Sequence, residues 1–220
     1  MKIFKLCVVP IVALVLIFAG AVFSEKPGDV TNGKKVYESK CSACHEVSIQ
    51  GPKKVRIAPD IKNPFFLGMA DDVFITNTIV KGRKGTAMSP FPMGIKTEEI
   101  PDVIAYLRSL PVSDPIRNKI AKIKIDHTRK ISGSSSEGNK KFEQYCQGCH
   151  GEKGKGIMGS GPGIGTPGFL ETASDDFIFQ TVKNGRMGTA MRSFGTSSGL
   201  ANLKDEDIMD IISYLKSLKK

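Results

Sequence analysis

Cys41-Ser42-Ala43-Cys44-His45 occurs again, with the same spacing and the same ending, as Cys146-Gln147-Gly148-Cys149-His150. Cys-x-x-Cys-His is the pattern by which a c-type haem is held covalently: two thiols add to neighbouring vinyl groups, and the adjacent imidazole reaches the iron from one face. Two intervening residues put both sulfurs on one turn of chain, and the His that follows directly lies under the ring centre. A thiol–disulfide redox pair needs no His at the next position, and a zinc site calls for further Cys or His at short spacing. Neither predicts the same five residues twice. The two copies take four of the five Cys and two of the three His. The sequence therefore implies two haem c groups, attached through Cys41 and Cys44 and through Cys146 and Cys149, with His45 and His150 as iron ligands.

The duplication divides the 220 residues into two units of about a hundred each, small for a self-sufficient apolar core. A large, flat, apolar macrocycle supplies what is missing, so each half is expected to fold around its haem and to be poorly folded without it. The expected boundaries are 25–110 for the first unit and 137–220 for the second. Residues 111–136 join them, with Pro111, Pro115 and the polar run Ser132-Gly133-Ser134-Ser135-Ser136 reading as an exposed linker.

Residues 1–24 read as an export signal. Lys2 and Lys5 precede an apolar run from Leu6 to Phe23, with small residues at Ala19, Ala21 and Ser24. Cleavage is the expectation; the competing reading is an uncleaved segment, long enough to anchor the chain in a membrane. Either places the protein outside the cytoplasm, in the periplasm or an equivalent space. Cys7 falls inside this run and reads as incidental, so no thiol is left over for a disulfide.

The formal charge is +10, reduced by loss of the signal lysines and by the haem propionates. A residual positive face would steer docking toward an acidic redox partner. The run Lys119-Ile120-Ala121-Lys122-Ile123-Lys124 is the candidate stripe, although such runs are commonly no more than solvated surface. Nothing further in the sequence supports nucleic-acid binding.

Each half follows one plan. Thr31 or Asn32 can cap a helix through Gly33, Val36 and Tyr37 into the first motif, and Gly138, Phe142 and Tyr145 lead into the second. Gly33 and Tyr37 match Gly138 and Phe142 at an offset of 105. A Gly four residues before an aromatic permits close approach of another helix. The expected crossing partners end each half, where Ile104-Ala105-Tyr106-Leu107-Arg108-Ser109-Leu110 nearly repeats as Ile212-Ser213-Tyr214-Leu215-Lys216-Ser217-Leu218. A third helix is expected over 72–80 and again over 175–182, each running into a glycine turn. No strand pattern is strong.

One axial position per iron remains to be filled, and how it is filled separates a carrier from an enzyme. Of eight Met, Met88 and Met191 sit in a repeated Gly-Thr-Ala-Met, 43 and 41 residues after their motif His. Small neighbours let an irregular loop pass tightly over a haem face, so these two are the expected sixth ligands. Met93 and Met187 are the nearest substitutes; Met69 and Met158 lack counterparts. His127 reads as a solvated linker residue. Pro59 and Pro162, with Pro52 competing in the first half, are candidates to accept a hydrogen bond from the ligating imidazole through a backbone carbonyl. Arg83 and Arg186 align in the repeat and either pair with haem propionates or face solvent.

Taken together, the N-terminal helix, Cys-x-x-Cys-His, glycine and proline loop, axial Met and C-terminal helix with its Tyr-Leu resemble class I cytochrome c domains, twice over. The resemblance implies an all-α fold, two class I cytochrome c domains in tandem, and one-electron transfer without catalysis by the chain itself. It allows a free carrier or the cytochrome subunit of a larger oxidoreductase. The alternative is a two-haem enzyme such as a peroxidase with one open haem. Two departures stand out: Glu46 follows the first motif where Gly151 follows the second, and Lys53-Lys54-Val55-Arg56 is inserted between the first motif and its proline.

Overall fold

The computed structural model of the chain describes residues 27–50, 53–56, 58–90, 94–195 and 200–219. The N-terminal apolar run with Cys7, together with Pro52 and Met93, lies outside the described residues. None of the described helices is long and apolar enough to cross a membrane.

The first half contains α1 (Val30–Lys40), α2 (Ser42–His45), a hairpin of β1 (Val47–Gln50) and β2 (Lys53–Arg56), α3 (Pro64–Met69), α4 (Asp72–Lys81) and α5 (Ile100–Ser109). Next comes α6 (Asp114–Ala121). The second half contains α7 (Ser135–Tyr145), α8 (Gln147–His150), α9 (Pro167–Leu170), α10 (Asp175–Asn184) and α11 (Asp205–Ser217). Helix α1 starts two residues earlier than a Thr31 cap, and three earlier than an Asn32 cap, would place it. The Asp29 carboxylate accepts from the Thr31 and Asn32 amides at 2.8 and 3.1 Å, satisfying two otherwise orphaned donors.

First and last helices cross in each half, and glycine sets how closely. A Cβ on Gly33 would lie 1.8 Å from the Asp102 carbonyl oxygen, and one on Gly138 would lie 1.9 Å from that of Asp210. The helices thus touch backbone to backbone. One turn on, the fully buried Tyr37 and Phe142 meet Tyr106 and Tyr214, with ring centroids 5.3 and 5.4 Å apart. Asp102 and Asp210 also accept from the backbone amides of Asp29 and Ser134, both at 2.7 Å, tying each crossing to the chain entering it.

The halves pack on each other about a pseudo-twofold axis, and the repeat at offset 103 generates it. Phe74 stacks on its counterpart Phe177 at 4.8 Å. Arg83 lies over its own Phe74 and over Phe169 of the second half, at 4.8 and 5.4 Å. Reciprocally, Arg186 lies over its own Phe177 and over Phe66 of the first half, at 5.9 and 5.0 Å. The N-cap residues of α4 and α10, Asp71 and Ser174, are equivalent as well, and His127 sits between them. Its Nε2 lies 3.1 Å from the Asp71 carboxylate, and its Nδ1 lies 3.3 Å from Ser174 Oγ. His127 is therefore exposed yet tethered to both halves.

Arg83 clamps this interface through hydrogen bonds too: to the Gly168 carbonyl at 3.0 Å, to Thr172 Oγ1, and within its own half to Thr78 Oγ1 at 2.9 Å. Arg83→Gln is expected to cost about 2 kcal/mol, the scale of a hydrogen bond to a charged group. In thermal unfolding followed by circular dichroism, it should also split one transition into two.

The linker and the first motif loop depart from expectation. Helix α6 opens at Asp114-Pro115, where Pro tolerates the first turn of a helix, and packs on α3. Lys119, Lys122 and Lys124 are exposed while Ile120, Ile123 and Ile125 turn partly inward. Arg129 then reaches Asp176, 2 % exposed, at 2.7 Å, and Ile131 is buried. The segment is docked rather than loose, because its isoleucines have apolar surface to cover. The insertion forms β2, paired antiparallel with β1 from Val47↔Arg56 to Gln50↔Lys53, a strand pair in an otherwise helical fold.

Candidate haem centres

Each motif begins at the C-terminal end of a crossing helix, so the buried helix pair fixes where the thiols stand. Cys41 and Cys146 are the C-caps of α1 and α7, with matching φ/ψ of −112/−37 and −115/−36, and α2 and α8 then carry the second Cys and the His. In both copies the His amide donates to the first Cys carbonyl at 2.9 Å. Burial pushes the Cys41 thiol up to about 11 and the Cys146 thiol up to about 12, with the neighbouring Cys of each pair adding to it. A redox-active dithiol needs the opposite shift. Cys44 and Cys149 are exposed.

The imidazoles are oriented by one device in both halves. His45 Nδ1 lies 2.8 Å from the Pro59 carbonyl, and His150 Nδ1 lies 2.8 Å from that of Pro162. A carbonyl only accepts, so Nδ1 carries the proton and Nε2 keeps its lone pair for a metal. Burial of His150 lowers its pKa, against the Pro162 hydrogen bond and with the charge of Arg186 adding to the fall, and so favours the neutral ring that ligation needs.

The routes from motif to proline differ from the first residue after each motif. Gly151 takes φ +75° and turns the chain into a compact loop, whereas Glu46 takes φ −104° and ψ 166° and runs straight into β1. Glu46 also pairs with Lys62. Both routes deliver a proline carbonyl to the same distance from the His.

The two Gly-Thr-Ala-Met segments form the same loop, bond for bond. After C-caps at Gly82 and Gly185, the Arg83 and Arg186 amides donate to the Met88 and Met191 carbonyls at 2.6 and 2.7 Å. Thr86 and Thr189 Oγ1 donate to the Arg83 and Arg186 carbonyls at 2.7 and 2.8 Å, and accept from the Met88 and Met191 amides, both at 3.1 Å. Each Met is therefore held by its backbone in a loop and is half-buried. Met69 is 3 % exposed in the core, and Met158, 80 % exposed, stands in solvent. Neither behaves as the loop methionines do.

Arg83 and Arg186 do not face solvent. Burial pushes both guanidiniums down to about 10, and Arg83 also feels the charge of Arg186. The sequence signal for this role was their alignment in the repeat; one aromatic partner of each lies in its own half and one in the opposite half.

Donors, tautomer and thiol chemistry thus fit a covalent haem in each half. Residues 30–111 match the family described as Cytochrome c, and residues 133–215 match the one described as Cytochrome C oxidase, cbb3-type, subunit III. Two curated relatives are named Cbb3-type cytochrome c oxidase subunit CcoP. The one from Azospirillum sp. (strain B510) is 26 % identical over 177 residues, and the one from Azospirillum brasilense is 24 % identical over 177. In each case the match covers 72 % of this chain and 54 % of the relative, so the chain spans about half their length. Among solved structures, the Kuenenia stuttgartiensis reducing HAO-like protein complex Kustc0457/Kustc0458 aligns with a TM-score of 0.47 and 19 % identity, over 89 % of this chain and 99 % of that one. The chain thus comprises two cytochrome c domains in tandem, each carrying one covalently bound haem c.

Proposed function

We propose that the chain carries single electrons outside the cytoplasm, with iron ligated by His45 and Met88 in the first half and by His150 and Met191 in the second. It acts as a free carrier or as the cytochrome subunit of a larger oxidoreductase, and it catalyses no reaction of its own. The observation that supports this most strongly is the matched pair of Met loops, whose hydrogen bonds repeat in both halves, together with an imidazole in each half held in one tautomer. The bound haem supplies a ferrous/ferric couple, and Met/His ligation favours a high potential. The Pro59 and Pro162 carbonyls hold the rings so that neither ligand turns during a cycle, which keeps reorganisation small. A thioether in the sixth position leaves no place for a substrate. The positive charge of the chain suits a redox partner with an acidic docking surface, and the apolar run 6–23 suits export, with or without retention as an anchor.

The test is an absorption spectrum of the purified holo-protein in both oxidation states, with carbon monoxide added to the reduced form. The ferric protein is expected to show the far-red sulfur-to-iron band at an intensity for two sites, and the ferrous protein is expected to leave carbon monoxide unbound. Ready binding of carbon monoxide or peroxide to either haem would replace this reading with that of a two-haem peroxidase.

A further inference from the structure

The repeat equates Arg83 with Arg186, but their surroundings differ. Arg83 is satisfied by Gly168, Thr172 and Thr78. Thr172 corresponds to Met69, whose side chain carries no hydroxyl to accept from Arg186. Thr78 and its counterpart Thr181 each donate a hydroxyl proton to the carbonyl four residues back, both at 2.7 Å, but only Thr78 also accepts from its arginine. Among the described residues the Arg186 guanidinium has no hydrogen-bond acceptor and no carboxylate; its contacts are the faces of Phe66 and Phe177 at 5.0 and 5.9 Å.

Taking a charge out of water without a partner is expensive, and aromatic faces return only a small part of that cost. Five rigidly forked N–H donors suit a carboxylate in particular. The position narrows the choice of anion. The Arg186 amide donates to the Met191 carbonyl at 2.7 Å, so the residue is rooted in the loop that carries the expected sixth ligand of the second haem, and its charge is felt at His150. Carboxylates enter that space on the haem itself, as propionates.

We propose that Arg186 pairs with a propionate of the second haem and makes the two centres inequivalent, raising the second haem's potential relative to the first, while Arg83 serves as the clamp between halves. The inference rests on the two-haem reading and on Met191 as ligand. A cation near the iron disfavours the ferric state. Its removal leaves the propionate charge uncompensated, which stabilises the ferric state, so the potential falls.

The experiment is a mediated redox titration of the holo-protein, with the second haem's wave assigned as the one displaced by Met191→Ala. Both haems are counted chemically in every variant. Arg186→Gln is expected to shift the second wave so that its ferrous-to-ferric ratio at fixed potential falls about tenfold, or about 59 mV for one electron, and to move the first wave much less. Arg186→Lys keeps the charge and should hold the second wave near its original place. Arg83→Gln should lower thermal stability with little effect on either wave. Where glutamine does not fold, Arg186→Met suits the aromatic slot and should give the same downward shift. Unmoved waves in Arg186→Gln or Arg186→Met, with two haems bound and the far-red band intact, overturn the proposal. So does a lysine variant that shifts as far as glutamine, or an Arg83→Gln variant that shifts the second wave as far as Arg186→Gln. Absence of the far-red band in the unmutated protein overturns the ligation reading instead, so the two failures are distinct.

Discussion

Met191→Ala is expected to remove about half of the far-red band, to turn one haem high-spin and to open that haem to carbon monoxide, leaving the other unchanged. The loop explains why so small a change should act so locally. Met191 is fixed through its backbone, by the Arg186 amide on its carbonyl and by Thr189 Oγ1 on its amide, and none of these bonds uses the side chain. Truncation to alanine therefore removes the thioether and leaves the loop standing. Among the described residues Met187 is the nearest substitute in sequence, and it is partly exposed with its carbonyl engaged by Asn63 Nδ2 at 3.0 Å. The potential of the altered haem should drop by on the order of 0.1 V, a fraction of the ~0.8 V that axial ligation spans. Met88→Ala should do the same to the first haem. Two controls separate ligation from packing: Met187→Ala should leave the band intact, and Met69→Ala should lower stability without touching the band, because Met69 is a core residue. A band that survives in Met191→Ala and vanishes in Met187→Ala would exchange the two roles.

What the sequence made legible is what the chain determines locally. Cys-x-x-Cys-His states its own chemistry, and Gly33 and Gly138 announced a helix crossing because a missing side chain four residues from an aromatic has few other uses. The proline carbonyls on the imidazoles were likewise within reach, since the proline must return the loop toward the motif. What stayed hidden depends on partners far away in sequence. Arg83 binds residues 85 and 89 positions on, and nothing beside it in the chain distinguishes a guanidinium that meets another domain from one that meets solvent. For the same reason the Thr172/Met69 difference carried no meaning until the pseudo-twofold axis placed Thr172 against Arg83. Helix α6 is another matter. Asp114-Pro115 followed by Ile116 and Ile120 is a readable start and apolar stripe, obscured because Pro111 and Pro115 read equally well as breakers. The hairpin too had its signal in Gly51-Pro52 between Val47-Ser48-Ile49 and Val55.

The largest loss of stability is expected from a single methyl group at Gly138. In an exposed helix Gly→Ala gains about 1 kcal/mol, because glycine is the poorer helix former. At position 138 the added Cβ would stand 1.9 Å from the Asp210 carbonyl oxygen, 2.4 Å from its carbon and 2.9 Å from the Ile211 amide. All three atoms belong to the backbone of α11, so no rotamer change relieves the overlap and the helices must part. Parting them withdraws Phe142 from Tyr214 and loosens the frame that carries Cys146. Overpacking of a tight site costs about 1–3 kcal/mol and occasionally more; with helix axes displaced, the upper end outweighs the propensity gain and leaves a net loss of about 2 kcal/mol or more. For a unit of this size that is a fall in melting temperature of about 10–15 °C, with less haem retained during maturation. Gly33→Ala should behave alike, with its Cβ 1.8 Å from the Asp102 oxygen. Gly148→Ala is the control: it lies in a helix, its Cβ would meet nothing within 4 Å, and the first motif carries Ala43 at the matching place. It should be neutral or slightly stabilising in the same melt. If Gly138→Ala melted with Gly148→Ala at the wild-type temperature, α7 and α11 would not be in backbone contact, and the placement of both haem motifs at the ends of crossed helices would have to be redrawn.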